Sequence, residues 1–242
     1  MQLHARIGLV FGLIIYGAAF AAVAEEGTGE WKSIFDGKSF DGWQAADMSF
    51  WRIEDGALTA EITEAKPTAR NHYLVYQGGK LANFELKVNH RILSDHDVNG
   101  GFQFRSEIFN GDIPDDCRGY QVDNNTKTDW LVRLYDEFGR HTLAWRGERT
   151  VFQEDGTPQT SKIESAQGPA KFKLEEWHEY HLICDGPKLT LKVNGALVAE
   201  AIDNDPKQQD FSGILAMQLH SGPPMKVQFK DIQLKVLGGK HE

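Results

Sequence analysis

Cysteine is scarce in this sequence: its 242 residues contain only Cys117 and Cys184. Two cysteines cannot build the disulfide framework of a small secreted domain, and their spacing matches no zinc motif. In an oxidising compartment the two thiols could form one disulfide. Cys184 lies in an alternating apolar run, however, so an inert buried thiol is an equal alternative.

Positive charge is also in short supply, with 26 Lys and Arg against 35 Asp and Glu, and a net charge of −9. Nucleic-acid partners require a basic footprint, which argues against such a partner here. The net charge does not argue against neutral ligands such as sugars. Walker, dinucleotide and Gly-x-Ser-x-Gly motifs are absent, and the absence of internal repeats excludes a propeller.

Long apolar runs are lacking outside the first 24 residues. There, a short basic segment ends at Arg6, residues 7–23 carry no charge, and Ala22-Val23-Ala24 fits a signal peptidase site. We therefore expect residues 1–24 to be a cleaved signal peptide and residues 25–242 to form a single β-sandwich domain. The mature chain would be exported, to the periplasm, cell envelope or extracellular space, without a membrane span. An uncleaved membrane anchor is the alternative.

Short segments of alternating polarity dominate the rest of the chain. They predict an all-β fold, a two-sheet antiparallel β-sandwich of the jelly-roll type seen in legume lectins and glucanases. Asp55-Gly56 and Asn194-Gly195 predict tight hairpins. A change of phase near Lys230-Asp231 predicts a β-bulge. Residues 153–171, rich in Gln, Ser, Gly and Pro, are interpreted as a long loop.

Three predicted strands carry polar pairs on the face that should point away from the core. Alternation places the apolar residues of each strand inward and the intervening residues outward. Side chains that both donate and accept hydrogen bonds suit a polyhydroxyl ligand. A solvated sheet face of chance composition is the alternative. The outward pairs are Gln103 and Arg105, Gln121 and Asp123, and Gln218 and His220.

Two further features bear on ligands. Trp43, Trp130 and Trp145 lie near predicted turns, where an exposed indole can stack on a sugar, although a buried tryptophan is the more common case. The segment 95–100 matches the first half of a calcium loop, but the closing glutamate position holds Ser106. A structural turn is therefore the favoured interpretation of that segment.

Several motifs resemble one family, the 3-keto-disaccharide hydrolase domain proteins. The resemblance covers nearly the whole mature chain, and the motifs occur in the family's order. Val122 stands where alanine is common, and residues 124–129 depart from the family's spacing. The matching segments are Trp31–Trp43, Asn99–Glu107, Gly119–Asp123, Leu134–Glu137, Glu176–Trp177, Asn194–Gly195 and Gln218–His220.

The resemblance implies a secreted, concanavalin A-like jelly-roll that processes 3-keto-glycosides. Base-catalysed loss of the proton on carbon 2 would expel the glycosidic oxygen, and water would add back; direct hydrolysis by a carboxylate pair is the alternative route. The expected catalytic residues are His220 or Asp123 as base, Arg105 at the developing oxyanion, and Glu107 or Asp136 as acid or as ligand of a divalent cation. Substrate binding is expected from Gln103, Gln121, Gln218, Tyr135 and Trp145.

No cofactor is required by these expectations, although they leave room for a divalent cation. The expected partner is an oligosaccharide or glycoside. Because the same sandwich serves lectins, a non-catalytic carbohydrate-binding module is the main competing function, and a structural envelope protein is a third.

Overall fold

The computed structural model describes residues 29–125, 132–164 and 173–238. The predicted signal peptide, residues 1–24, lies outside the described residues, as does Trp130. The described chain folds into two sheets that pack face to face around one large apolar core.

The larger sheet has the order β12-β11-β15-β14-β13-β6-β17-β4-β3, with β1 paired to β17. Its pairs are antiparallel except for β11 and β15, which run parallel. The strands are β1 Lys32–Ser33, β3 Trp51–Glu54, β4 Ala57–Ile62, β6 Phe84–Leu93, β11 Glu148–Phe152, β12 Pro158–Lys162, β13 His178–Asp185, β14 Lys188–Val193, β15 Ala196–Asp203 and β17 Met225–Val236.

The smaller sheet has the order β10-β9-β8-β7-β16-β5-β2 and is antiparallel throughout the described residues. Its strands are β2 Trp43–Ala45, β5 His72–Tyr76, β7 Asn99–Phe109, β8 Asp116–Asn125, β9 Arg133–Glu137, β10 His141–Ala144 and β16 Ile214–Leu219.

Helix is nearly absent from the described ranges, where one 3₁₀ turn at Met48–Phe50 interrupts the strands. No helix in these ranges has the length and apolar character needed to cross a bilayer. The predicted all-β, two-sheet antiparallel sandwich of jelly-roll type is confirmed.

The predicted hairpins and bulge are present. Asp55 and Gly56 have φ values of 51° and 74°, and Asn194 and Gly195 have 50° and 79°. These left-handed pairs match the twist of the strands they join. In β17 the register shifts between Lys230 and Gln233, so that the buried side chains change phase as the sequence indicates.

The long loop predicted for residues 153–171 is wrong in its first part. β12 pairs with β11 across a turn at Asp155-Gly156, where Gly156 has a φ of 82°. All five residues of β12 are exposed, and Pro158 is the only one of them without a polar side chain. Because β12 has no buried face, its residues show no alternation of apolar and polar side chains, so the sequence pattern did not predict a strand there. Residues 165–171 lie outside the described residues.

The two cysteines are unpaired and fully buried. Cys184 belongs to the main core, whereas Cys117 lies on the opposite face of the smaller sheet with Tyr73 and Ala216. Because they occupy different layers, the inert-thiol alternative holds and the disulfide does not form.

Candidate functional site

The smaller sheet carries a buried polar layer on the face away from the core, and we call it the polar floor. In the register of the sheet, Asp123 lies opposite Gly101, which lies opposite Gln218. The next row places Gln121 opposite Gln103. Phe102 and Val122 alternate with these residues and fill the core. The polar floor is defined by Gln103, Gln121, Asp123 and Gln218.

Strand alternation therefore predicted four of the floor positions correctly. The side chains of Gln103, Gln121, Asp123 and Gln218 are all at most 2% exposed. Gly101 stands in the middle of the first row with a φ of 147°, and an added Cβ would lie 2.0 Å from the Val122 carbonyl oxygen. Only glycine fits there, so β7 and β8 approach closely beneath the floor.

Two of the floor amides are joined in a hydrogen-bonded chain. Gln121 Nε2 donates to Gln218 Oε1 at 2.9 Å, and Gln218 Nε2 donates to the Tyr73 hydroxyl at 3.4 Å. Tyr73 in turn donates to Asp116 Oδ1 at 3.0 Å. The chain fixes the floor's shape. That Gln121 and Gln218 also orient substrate hydroxyls stays a prediction.

Three buried polar atoms in successive rows of this sheet face have no hydrogen-bond partner among the described residues. They are Gln103 Nε2, Asp123 Oδ1 and Asn99 Oδ1, on the adjoining strands β7 and β8. Buried polar atoms are almost always paired, so three unpaired ones on one sheet face require an explanation. One donor and two acceptors would match the hydroxyl and carbonyl groups of a sugar.

Asp123 is tied to the neighbouring strand by an ion pair. Arg133 Nε lies 2.5 Å from Asp123 Oδ2, and both side chains are buried. Burial raises the pKa of Asp123, while Arg133 and, more weakly, His220 and Asn99 oppose that rise. The Arg133 guanidinium also lies 4.2 Å from the centre of the Tyr135 ring. A fixed positive charge thus borders the unpaired oxygen.

His220 directly follows β16, two residues beyond Gln218, and is half-buried. Its Nδ1 lies 2.5 Å from the Ser221 carbonyl oxygen. A carbonyl only accepts, so Nδ1 carries the proton and Nε2 holds the lone pair of the neutral ring. His220 influences the pKa of Asp123 electrostatically, across the strand β7 that lies between β8 and β16.

The outward orientation predicted for Arg105 is wrong. The register of β7 and β8 shifts between Gln103 and Glu107, and Arg105 has a φ of 46°. The bulge turns Arg105 away from Gln103, and the residue is only 2% exposed. Its guanidinium donates to the carbonyls of Ala82, Gly186 and Asp210 and to Asn83 Oδ1. Arg105 therefore joins loops of both sheets and lies apart from Asp123 and His220.

The two predicted acids also lie apart from the floor. Glu107 pairs with Arg118 on the surface, with about half of its side chain exposed. Asp136 is turned toward the core layer, where it accepts from Arg140. Both line a separate cavity of about 360 Å³, together with Arg105.

Sequence reasoning missed Glu137, which follows Asp136 and also lines this cavity. Burial raises its pKa to about 7, with further contributions from Asp123 and Asp116. Tyr135 and Glu137 are two apart on β9, so the alternation that selected Gln121 and Asp123 would have selected Glu137 rather than Asp136.

The predicted aromatic residues have different surroundings. Tyr135 is half-buried and its hydroxyl lies 2.9 Å from His141 Nδ1. Trp145 is half-buried with Arg133 5.2 Å from its ring centre. Both lie beside the floor. Trp43 is 3% exposed and donates to the Ile34 carbonyl, so it cannot serve as a sugar platform.

Among the described residues, no group of three or more His, Cys, Asp and Glu side chains is arranged to hold a metal ion. In the calcium-like segment, Asp95, His96 and Asp97 are exposed, and β7 begins at Asn99. The segment is a turn into β7. A divalent cation at the site remains a prediction.

The fold and the floor define a class: a lectin- and glucanase-like sandwich with buried polar groups on one sheet. Residues 30–235 match the model of the 3-keto-alpha-glucoside-1,2-lyase-like domain, and the chain belongs to that family. The predicted resemblance is confirmed. The family indicates a glycoside-related function.

Solved structures share the architecture at low identity. The carbohydrate-binding module CBM66 from Bacillus subtilis is 13% identical, with a TM-score of 0.51 over 80% of this chain and 95% of that one. A Parabacteroides distasonis ATCC 8503 protein, provisionally assigned as a glycosyl hydrolase, is 18% identical, with a TM-score of 0.52 over 86% and 94%. A Bacillus subtilis protein with a galectin-like fold is 10% identical, with a TM-score of 0.55 over 85% and 94%. No match was found among curated proteins.

Proposed function

We propose that this protein is an enzyme that cleaves the glycosidic bond of 3-keto-glycosides by 1,2-elimination followed by addition of water. The observation that carries the proposal is the set of unpaired buried atoms Gln103 Nε2, Asp123 Oδ1 and Asn99 Oδ1 on β7 and β8, next to the strand β16 that His220 follows. A keto-sugar supplies the missing acceptor and donors, and His220 supplies a base next to them.

His220 Nε2 is assigned as the base. It takes the proton from carbon 2 of the sugar, and the electron pair of that C–H bond forms the enolate of the 3-keto group. Arg133, held by Asp123, is the fixed positive charge nearest the developing oxyanion, the role that the sequence assigned to Arg105.

The enolate then collapses, a double bond forms between carbons 1 and 2, and the bond from carbon 1 to the glycosidic oxygen breaks. The leaving oxygen takes the proton that His220 received, which returns the imidazole to its neutral form. Water then adds across this double bond, with its hydroxyl on carbon 1 and a proton on carbon 2, which completes net hydrolysis. One residue can thus serve as base and acid when both bonds face it.

Aglycone release from a 3-keto-glucoside tests the proposal. We expect His220→Ala to lower kcat/KM by about 100-fold or more, the usual range for loss of a general base. Asp123→Asn should also lower it, because it removes the carboxylate that holds Arg133. His96→Ala and Asp231→Asn are matched controls, since His96 is exposed and Asp231 lies on the other sheet, where Asn89 donates to it. Release that survives both site variants would refute the assignment.

The competing function, a carbohydrate-binding module, predicts a different result in the same experiment. Binding of keto-glycosides by calorimetry, without release from any of them, would favour it. Dialysis against a chelator before the assay tests the divalent cation, because a metal-dependent reaction would lose activity and regain it on addition of the ion.

Export is part of the proposal and has its own test. Mass spectrometry of the mature protein should give an N-terminus at Glu25, in a periplasmic, envelope or culture fraction. A retained Met1 in the membrane fraction would indicate an uncleaved anchor instead.

A further inference from the structure

A cavity of about 400 Å³ adjoins the polar floor beyond Gln218. Its size lies within the range of small-molecule sites. The connection is Tyr73, whose hydroxyl accepts from Gln218 while the residue also lines the cavity. In the sheet register Tyr73 pairs with Gln218, and Asp123 lies three strand spacings from Tyr73, or about 14 Å.

Next to Gln218, the outer face of the smaller sheet changes from polar to apolar. Tyr73, Cys117 and Ala216 form a small apolar cluster, with Val75 and Ile214 packed against it. These residues lie outside the main core, on the face where an antiparallel sheet normally carries polar side chains. Val75 and Ile108 form an apolar wall of the cavity next to the cluster, and Ile108 is 38% exposed, whereas most of the other lining residues are polar.

We propose that this cavity is the aglycone site, and that the substrates are 3-keto-glycosides whose aglycone is an apolar group of several carbon atoms. The inference rests on the proposed function. The polar floor with its unpaired atoms suits the oxidised sugar, and the adjoining apolar wall suits a leaving group with few hydroxyls. Binding across both would align carbon 1 between His220 and Tyr73.

The test is a series of n-alkyl 3-keto-glucosides from ethyl to hexyl. The leaving-group acidity is nearly constant along this series, so the chain length changes the buried apolar area alone. We expect kcat/KM to rise with each methylene, by at most about fourfold, until the cavity is full.

The Ile108→Thr and Val75→Thr variants should flatten this rise, so that the ratio of kcat/KM for the hexyl glycoside to that for the ethyl glycoside falls below the wild-type ratio. Ile113→Thr is the matched control, since Ile113 is also 38% exposed but is not among the residues that line the cavity. Retention of the full dependence in both cavity variants would overturn the inference.

The outcomes separate the inference from the proposed function. Release of ethanol with no dependence on chain length refutes the aglycone site and keeps the enzyme. If no member of the series is cleaved, the proposed reaction fails. Calorimetry of the same series then tests the cavity directly, and affinities independent of chain length overturn it.

Discussion

The Arg105→Met variant removes a buried guanidinium from the junction of three loops. Arg105 Nε donates to the Ala82 carbonyl and Nη1 to the Gly186 carbonyl, both at 2.8 Å. A further bond to the Asp210 carbonyl is longer, at 3.3 Å. Methionine fills similar space but donates nothing, so these carbonyls would lose their donor.

A buried polar group left without its partner costs about 1–3 kcal/mol. Counting only the two short bonds at about 2 kcal/mol each, we expect the free energy of unfolding to fall by about 4 kcal/mol. With a slope of about 2 kcal/mol per molar urea, the unfolding midpoint should fall by about 2 M. Arg118→Met is the control, because Arg118 is more than half exposed and its ion pair with Glu107 contributes little.

The assay is urea denaturation followed by tryptophan fluorescence, alongside cleavage of a 3-keto-glucoside. If Arg105→Met unfolds at the wild-type midpoint but no longer cleaves the substrate, the structural role is wrong and the catalytic role predicted from the sequence is restored. Equal slopes in the two proteins are needed for the midpoint comparison.

Three other predictions follow from buried groups. Burial raises the pKa of Glu137 from 4.5 to about 7, so the folded state binds more protons than the unfolded state between those values and loses stability as the pH rises through them. Relative to wild type, Glu137→Gln should therefore gain stability from pH 4.5 to 7.5, by at most about 3 kcal/mol, and a constant difference in urea midpoints would contradict this. Burial raises the pKa of Cys184 to about 12 and also raises that of Cys117, so neither thiol of the native protein should react with a thiol reagent. After unfolding, the reagent should detect two thiols per molecule. If it detects none, the two cysteines form a disulfide. Tyr120 donates to Asp203 and accepts from the Asp210 amide, so Tyr120→Phe should lower the free energy of unfolding, measured by urea titration, by about 2 kcal/mol. A change below about 0.5 kcal/mol, the size expected of a neutral substitution, would show that these two hydrogen bonds contribute little to stability.

Strand alternation was sufficient where the pleat is regular. On β8 and β16 it placed Gln121, Asp123 and Gln218 on one face, because side chains two apart in a strand always share a side. The hairpins at Asp55 and Asn194 were predictable for a local reason, since their turn residues tolerate positive φ.

The same reasoning failed on β7 because a bulge reverses the alternation. The sequence does hold an indirect signal. An added Cβ on Gly119 of β8, or on Gly213 just before β16, would lie within 3 Å of the backbone at Arg105 or Ser106 on the strand β7 between them. Glycines on both sides of a strand mark a close approach of backbones, which is where bulges occur.

Pairings between distant segments could not be predicted either. The strand order β9-β8-β7-β16-β5 decides both pairings. It brings Arg133 to Asp123 and Tyr73 to Gln218. No local pattern encodes that order, so the sequence supplied the polar residues of the floor without the partners that hold them.

The outermost strand of the larger sheet, β12, has a consequence for how the molecule behaves at high concentration. Edge strands invite self-association, because their free backbone groups can pair with another copy. Here the edge strand β12 begins with Pro158 and ends with Lys162, and the three residues between them carry one amide and two hydroxyl groups. A second molecule that paired with this strand would bury no large apolar side chain and would take the charge of Lys162 out of water. This edge of the sheet therefore resists the growth of ordered aggregates.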